Sequence, residues 1–335
     1  MKVLIVNHNE VREILTMPAC IEVLEQVFLT LHAGDVTQPL RRPTWMPDRS
    51  GLLGIMPGFV GGDIQMMGLK AVTVMPGNHG TDYDSHQGVV MIFEKEHGVL
   101  KAIIDASEIT AIRTAGASAV ATKLLARPDA GDLAILGTGV QARSHLDAMN
   151  TVRSLRRVRV FSRDLGNREQ FVTWAKDRFG LDVEMAASAQ EAVAGADLIC
   201  TTTSSREPVI KGEWLAPGCH VNAVGSSVAV ARELDSQAMQ RAELFVDWRE
   251  STLNESGDYM IPAQEGLIDA AHIRAELGEL LTGAPGRSSA EAITVFDSLG
   301  LAAEDIACGH YIFEQARSRD LGQWVEIGSK VGFTN

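Results

Sequence analysis

A glycine-rich turn in the middle of the chain, Gly137-Thr138-Gly139-Val140-Gln141-Ala142, limits the fold more than any other feature. It follows the short apolar run Leu133-Ala134-Ile135-Leu136 and leads into a segment of helical pattern, so it reads as strand, tight turn and helix. A strand buried on both faces of a parallel sheet has this continuous apolar character. Gly137 permits the turn, Gly139 lets the backbone approach a pyrophosphate, and Ala142 is small where helix and strand must pack closely. Free N–H groups at the helix start, together with its positive dipole end, then favour phosphate. A glycine triplet alone is weak evidence. Here further apolar runs at Val158-Arg159-Val160-Phe161, Leu198-Ile199 and His220-Val221-Asn222-Ala223-Val224 follow at βαβ spacing and support a dinucleotide-binding unit.

That unit lies past residue 130, so something else must fold ahead of it. With 335 residues the chain is long enough for two domains. Val3 to Val6 reads as a strand and Met17 to His32 as a helix. Residues 38–43 and 51–56 read as extended, and residues 67–76, 88–93 and 100–104 as strands. Ser107 to Leu125 is an Ala-rich helix, and the boundary is expected within it. A final helix is predicted from about Ala302 to Arg317. Because the nucleotide unit is central, that helix is expected to return to the N-terminal block. The fold class is therefore α/β, with a central Rossmann dinucleotide-binding domain at 116–301. The rest is a discontinuous α+β substrate-binding and dimerisation domain at 1–115 and 302–335.

Composition narrows the function. Thirty basic against forty-three acidic residues give a formal charge of −13, which disfavours phosphate-backbone binding as the main task. Cys20, Cys200, Cys219 and Cys308 show no C-x-x-C spacing, and no leader-like segment is apparent at the start. The expectation is a soluble cytoplasmic protein with no nucleic-acid or membrane partner. His79 and His86 lie seven apart in a Gly-rich segment with Asp82 and Asp84, but no fixed helical face converges them, and no metal is expected.

The second strand of the nucleotide unit ends Phe161-Ser162-Arg163-Asp164. An acid at this strand end would bind the adenosine ribose hydroxyls, whereas a basic residue accommodates a 2′-phosphate. Ser162 and Arg163 thus favour NADPH, and Asp164 leaves NADH open if the strand ends later. Lys70 interrupts the apolar stretch 67–76, so it must reach solvent or point into a polar site. A partly desolvated lysine exchanges protons near neutral pH. Arg113 begins what reads as an otherwise small-residue helical stretch, and Arg41 and Arg42 lie in an extended segment. A guanidinium fits a carboxylate bidentately. Each of these arginines also reads as a plain surface charge.

Taken together, several stretches carry a resemblance. They are Gln38-Pro39-Leu40-Arg41, Gly68-Leu69-Lys70, Ser85-His86-Gln87, Ile112-Arg113-Thr114-Ala115, the glycine turn, Glu255-Ser256-Gly257-Asp258 and Val295-Phe296-Asp297-Ser298-Leu299-Gly300. Over nearly its whole length the chain resembles the ornithine cyclodeaminase/μ-crystallin family. The resemblance implies a homodimer in which Arg41 and Arg113 hold a substrate carboxylate and Lys70 handles protons at the reacting nitrogen or oxygen. True cyclodeaminases carry an aspartate where this chain has Ser227, as the ketimine reductases do, so the reductase branch is implied. The expected activity is NAD(P)H-dependent reduction of a small α-imino acid to an α-amino acid. Candidate substrates are a dicarboxylic imine such as iminosuccinate, cyclic ketimines such as pyrroline-2-carboxylate, and iminopyruvate. Arg42 adds a cation for a second carboxylate only if it shares a face with Arg41, and adjacent strand residues face oppositely. His86 is a candidate substrate contact. Candidate cofactor contacts are Thr114, Gly137, Thr138, Gly139, Val140, Gln141, Ser162, Arg163, Val224, Ser226, Ser227, Ser298 and Gly300. Two alternatives remain: a cyclodeaminase with tightly bound NAD, and a non-catalytic protein that holds NADP(H) or a small ligand.

Overall fold

Strands Leu52–Val60, Met66–Val74, His86–Glu94 and Leu100–Asp105 form a run of antiparallel neighbours. Their register places Met56, Lys70 and Val90 side by side on one face, with Gly58 beside Gly68. The computed structural model describes residues 2–78 and 81–328. Strand Lys2–Val6 adds in parallel to Leu100–Asp105 and carries Gln323–Glu326 at the edge. At the other end Val36–Thr37 and Arg42–Trp45 both pair with Leu52–Val60.

The C-terminal helix Ala302–Ser318 does return to this sheet. Gly68 is what allows it to lie so close. A Cβ there would sit 2.9 Å from Ile306 Cγ1 and 2.8 Å from the Met91 carbonyl, so any side chain would push the helix off. On the opposite face Leu53, Ile55 and Met67 are exposed. A short helix the sequence reading did not anticipate, His8–Ile14, is set by a capping box: Asn7 accepts from the Glu10 N–H while Glu10 accepts from the Asn7 N–H.

The chain divides into two compact units, one of residues up to Arg113 joined by those from Leu301 onward, the other Thr114–Gly300. Thr114 and Ala115 thus group with the second unit and Leu301 with the first. The second unit holds eight parallel strands in the spatial order 183–185, 157–161, 132–136, 198–201, 220–223, 294–297, 243–246, 273–276. The first five follow the Rossmann order, and it reverses between Asp132–Leu136 and Leu198–Thr201. Ligands of such sheets bind beyond the carboxyl ends of the strands at this switch. All four cysteines are free and buried. Among the described residues no single helix is long and apolar enough to cross a membrane.

Candidate active site

Lys70 lies on the sheet face that the C-terminal helix covers, two residues beyond Gly68. The close helix contact brings Asp305, the neighbour of Ile306, against its ammonium. Nζ stands 2.8 Å from Asp305 Oδ2, 3.1 Å from Oδ1 and 3.4 Å from Thr110 Oγ1. Arg113 reaches the same carboxylate from the helix Ala106–Leu125, with Nε 3.1 Å from Asp305 Oδ1 and Nη1 3.0 Å from Glu304 Oε2. Lys70 and Arg113 are buried, and both carboxylates are completely so. Arg41 lies half-buried close enough for its charge to act on Lys70. Its segment is tied to the start of the C-terminal helix, where Gln38 Oε1 accepts from the Ala303 N–H at 3.0 Å.

Burial is the main force on Lys70, disfavouring its charge, and Arg113 and Arg41 push the same way. Asp305 opposes them, and the balance leaves a pKa of about 8. Such a group is protonated at neutral pH yet gives up its proton readily. Burial also opposes the charge of Arg113, but the Asp305 and Glu304 carboxylates outweigh it and raise its pKa. The two ion pairs occupy Nε and one Nη1 proton. A guanidinium has five donors, so its Nη2 edge can still serve a ligand carboxylate.

Arg113 does not begin its helix, as the sequence reading had it. The helix starts at Ala106, which puts Arg113 two turns in, on a rigid stretch. His86 opens its strand as an exposed residue, with Nδ1 3.0 Å from Ser85 Oγ. Crowding by protein atoms and the Lys70 charge lower its pKa, against the pull of Asp84. Arg42 is exposed. His79 lies outside the described residues. Glu304 and Asp305 were missed altogether: they lie in the first turn of their helix, where acidic residues are common.

In the second unit, the glycine turn, Ser162-Arg163, Val224 to Ser227 and Ser298 to Gly300 each follow the carboxyl end of a parallel strand. The fold therefore gathers these candidates along one edge of the sheet. Thr114 is buried within the helix Ala106–Leu125 instead. Gly137 adopts φ 114°, where a Cβ would meet Thr202 O and Oγ1 at 2.8 Å. A Cβ on Gly139 would meet nothing within 4 Å. Gly139 is the N-cap of the helix Val140–Val152 and supplies no side-chain cap to the first helical N–H groups. Ala142 is fully buried. These features fit a dinucleotide pyrophosphate. At the end of the second strand Asp164 is engaged as a helix cap, accepting from the Asn167 N–H at 2.7 Å, while Arg163 is exposed.

Three buried carboxylates anchor the loops at this edge. Glu233 accepts from the N–H groups of Thr203 and Gly225, both at 2.6 Å. Asp247 accepts from those of Leu299 and Gly300 at 2.8 and 2.7 Å. Asp258 accepts from those of Glu233 and Leu234 at 3.0 and 2.8 Å. Burial raises Asp258 to about 7, with Glu233 adding to the rise against its hydrogen bonds. Asp297, at the end of its strand, is pushed well above the carboxylate range by burial and by Asp258 and Asp247.

The glycine turn and the Lys70 cluster both fall inside residues 1–320, which match the profile of the ornithine cyclodeaminase/mu-crystallin family. The chain belongs to that family. It is 42% identical over 281 residues to the ketimine reductase mu-crystallin of Mus musculus, covering 84% of this chain and 86% of that protein. It is 36% identical over 326 residues to a Delta(1)-pyrroline-2-carboxylate reductase of Bacillus cereus, covering 97% and 100%. The structure of the Delta(1)-pyrroline-2-carboxylate reductase of Thermococcus litoralis, in complex with NADH and L-proline, superimposes with a TM-score of 0.93. That protein is 35% identical, and the match covers 96% of this chain and 99% of the other. Family membership accounts for the fold class, in which one unit is a parallel nucleotide-binding sheet and the other a discontinuous α+β unit. Ser227 is half-buried in the loop after strand His220–Ala223.

Proposed function

We propose that this chain is a nicotinamide-dependent oxidoreductase acting on C=N bonds, and specifically a reductase of a small α-imino acid to the α-amino acid. The buried Lys70–Asp305–Arg113 cluster carries the reading, because it places a transferable proton beside a carboxylate-binding guanidinium. A reduced nicotinamide dinucleotide, held at the glycine turn and the strand ends of the second unit, supplies the hydride when bound. Arg113 and Arg41 bind the α-carboxylate and so fix the face and distance of the acceptor carbon, an orientation effect large enough to dominate the rate. Lys70 protonates the imine nitrogen, since an iminium accepts hydride more readily than a neutral imine. Burial of the cluster keeps competing water away from that proton.

Charge bears on the substrate. Lys70 and Arg113 are matched by Asp305 and Glu304, and Arg41 adds a positive charge that acts on Lys70, a setting suited to one ligand carboxylate. Arg42 is exposed and adds nothing to this cluster. The balance favours a monocarboxylic imine, cyclic ketimines first, over iminosuccinate. Ser227 favours reduction over cyclodeamination, because a serine is no base for a substrate amine. Ser162 and Arg163, with Asp164 committed to its helix, support NADPH as the preferred donor. We further propose that the first unit is the substrate-binding and dimerisation domain and that the exposed face bearing Leu53, Ile55 and Met67 pairs with a second copy. A monomer mass by analytical ultracentrifugation would refute that pairing.

The test is oxidation of NADH and NADPH with pyrroline-2-carboxylate and related cyclic ketimines, pyruvate with ammonia, and oxaloacetate with ammonia. Rapid oxidation with a cyclic ketimine is the expected result. Silence across the panel, with ornithine consumed and no net change in nicotinamide, would overturn the reading in favour of cyclodeamination.

A further inference from the structure

Of the charged groups around Lys70, one has no counterpart in the sequence reading and stands at the centre of the geometry. Asp305 Oδ1 accepts from Lys70 Nζ and Arg113 Nε, both at 3.1 Å, while Oδ2 lies 2.8 Å from Lys70 Nζ as an ion pair. We infer that Asp305 is a positioning residue for the reaction: its carboxylate locks the ammonium and the guanidinium into one arrangement and keeps the proton on Lys70 until an imine takes it. The inference rests on the imine-reductase reading and extends it to a residue that touches neither substrate nor cofactor in that reading.

Asp305 cannot withdraw from this role by a small movement. It precedes Ile306, whose side chain packs against Gly68, so the helix carrying the carboxylate bears directly on the strand carrying the lysine. Glu304 completes the lock on Arg113 through Nη1, which turns the rest of the guanidinium toward any ligand. The surrounding charges show what Asp305 offsets. Arg113 from the helix Ala106–Leu125 and Arg41 from the extended segment both drive the proton off Lys70, and burial does so more strongly. His86, at the start of the adjacent strand His86–Glu94 and opposite Val74, is itself held toward its neutral form. The register neighbours Met56 and Val90 carry no charge. Asp305 is therefore the group that holds the proton in place. In the reaction that proton passes from Lys70 Nζ to the imine nitrogen as the imine carbon accepts hydride from the reduced nicotinamide, which is left oxidised. Neutral Lys70 then regains a proton from solvent.

The experiment compares the full-length wild type with Asp305→Asn and Glu304→Gln. Two quantities are read against pH: the Lys70 Nζ signal in ¹⁵N-lysine-labelled protein, assigned with Lys70→Arg, and kcat for the best imine. In Asp305→Asn the Nζ midpoint should fall by about 1 to 3 pH units, the range expected on losing a close opposite charge. The alkaline decline of kcat should move down by the same amount. Glu304→Gln should raise KM and leave that decline where it is. An Asp305→Asn protein that binds nucleotide normally, with both midpoints unmoved, would overturn the inference. A shifted Nζ midpoint in Asp305→Asn, together with a wild type that reduces no imine, would uphold Asp305 as the holder of the proton and sink the imine-reductase reading instead. Should Asp305→Asn fail to fold, the wild type serves: a slowly exchanging Lys70 ammonium with scalar coupling to the Asp305 carboxylate carbon is expected, and a rapidly exchanging uncoupled one would refute the contact.

Discussion

The first unit and the second both bury carboxylates, yet they satisfy them in opposite ways. Glu304 and Asp305 face cations, Arg113 and Lys70, whereas Glu233, Asp247 and Asp258 accept from backbone N–H groups at loop ends. A carboxyl group held by amides keeps a loop in shape and passes no proton to a ligand. One held by an ammonium shares a proton that can leave. The contrast separates scaffolding from chemistry without reference to any ligand, and it can be tested from either side.

The largest effect is expected on the chemical side. Lys70→Ala removes the proton donor and should lower kcat by about a hundredfold to ten-thousandfold, the usual contribution of general acid catalysis. Nucleotide affinity, measured by fluorescence titration, should stay near the wild-type value. A parallel loss of nucleotide binding would show that Lys70 belongs with the scaffold and would erase the contrast.

On the scaffolding side the effect is on stability. Asp258 has a folded pKa of about 7 against an ordinary 3.8, so between those values the folded chain holds a proton that the unfolded chain has released. Stability from this group is fully present below the ordinary value and is lost as pH rises through about 7, by up to about 4 kcal/mol. In Asp258→Asn, whose amide oxygen can still accept from Glu233 and Leu234, urea denaturation midpoints should decline less over that range. An unchanged slope would mean that Asp258 is not the titrating group.

The smallest effect concerns the cofactor. Arg163→Ala should weaken NADPH binding about tenfold, or roughly 1.4 kcal/mol, and leave NADH nearly unaffected. Equal loss with both would remove the argument from the end of the second strand.

The two units were not equally legible. The glycine turn and the continuous apolar strands announce the parallel sheet, because a fully buried strand has few residue types to choose from. Lys70 and Arg113 stood out because each interrupts an apolar or small-residue run. Glu304 and Asp305 did not, since acidic residues in a first helical turn are ordinary complements to the helix dipole. Nothing local distinguishes a dipole-compensating aspartate from one whose partner is a lysine 235 positions away. The anchoring role of Asp247 was hidden for the same reason, since its amide partners Leu299 and Gly300 lie more than fifty residues along. His8–Ile14 was missed because seven residues carry too little periodicity, although its capping box was there to be seen.

The distance in sequence between Lys70 and Asp305 also bears on how the protein is made. The sheet that buries the lysine is encoded early, whereas the helix that compensates it is encoded after the entire nucleotide-binding unit. During synthesis the N-terminal strands must wait, with an unmatched ammonium on the face they will later close, until Asp305 has emerged some 235 residues later. A chain stalled or cut before Asp305 would thus have a finished nucleotide fold and an unfinished sheet, and quality control would meet it as a half-folded protein.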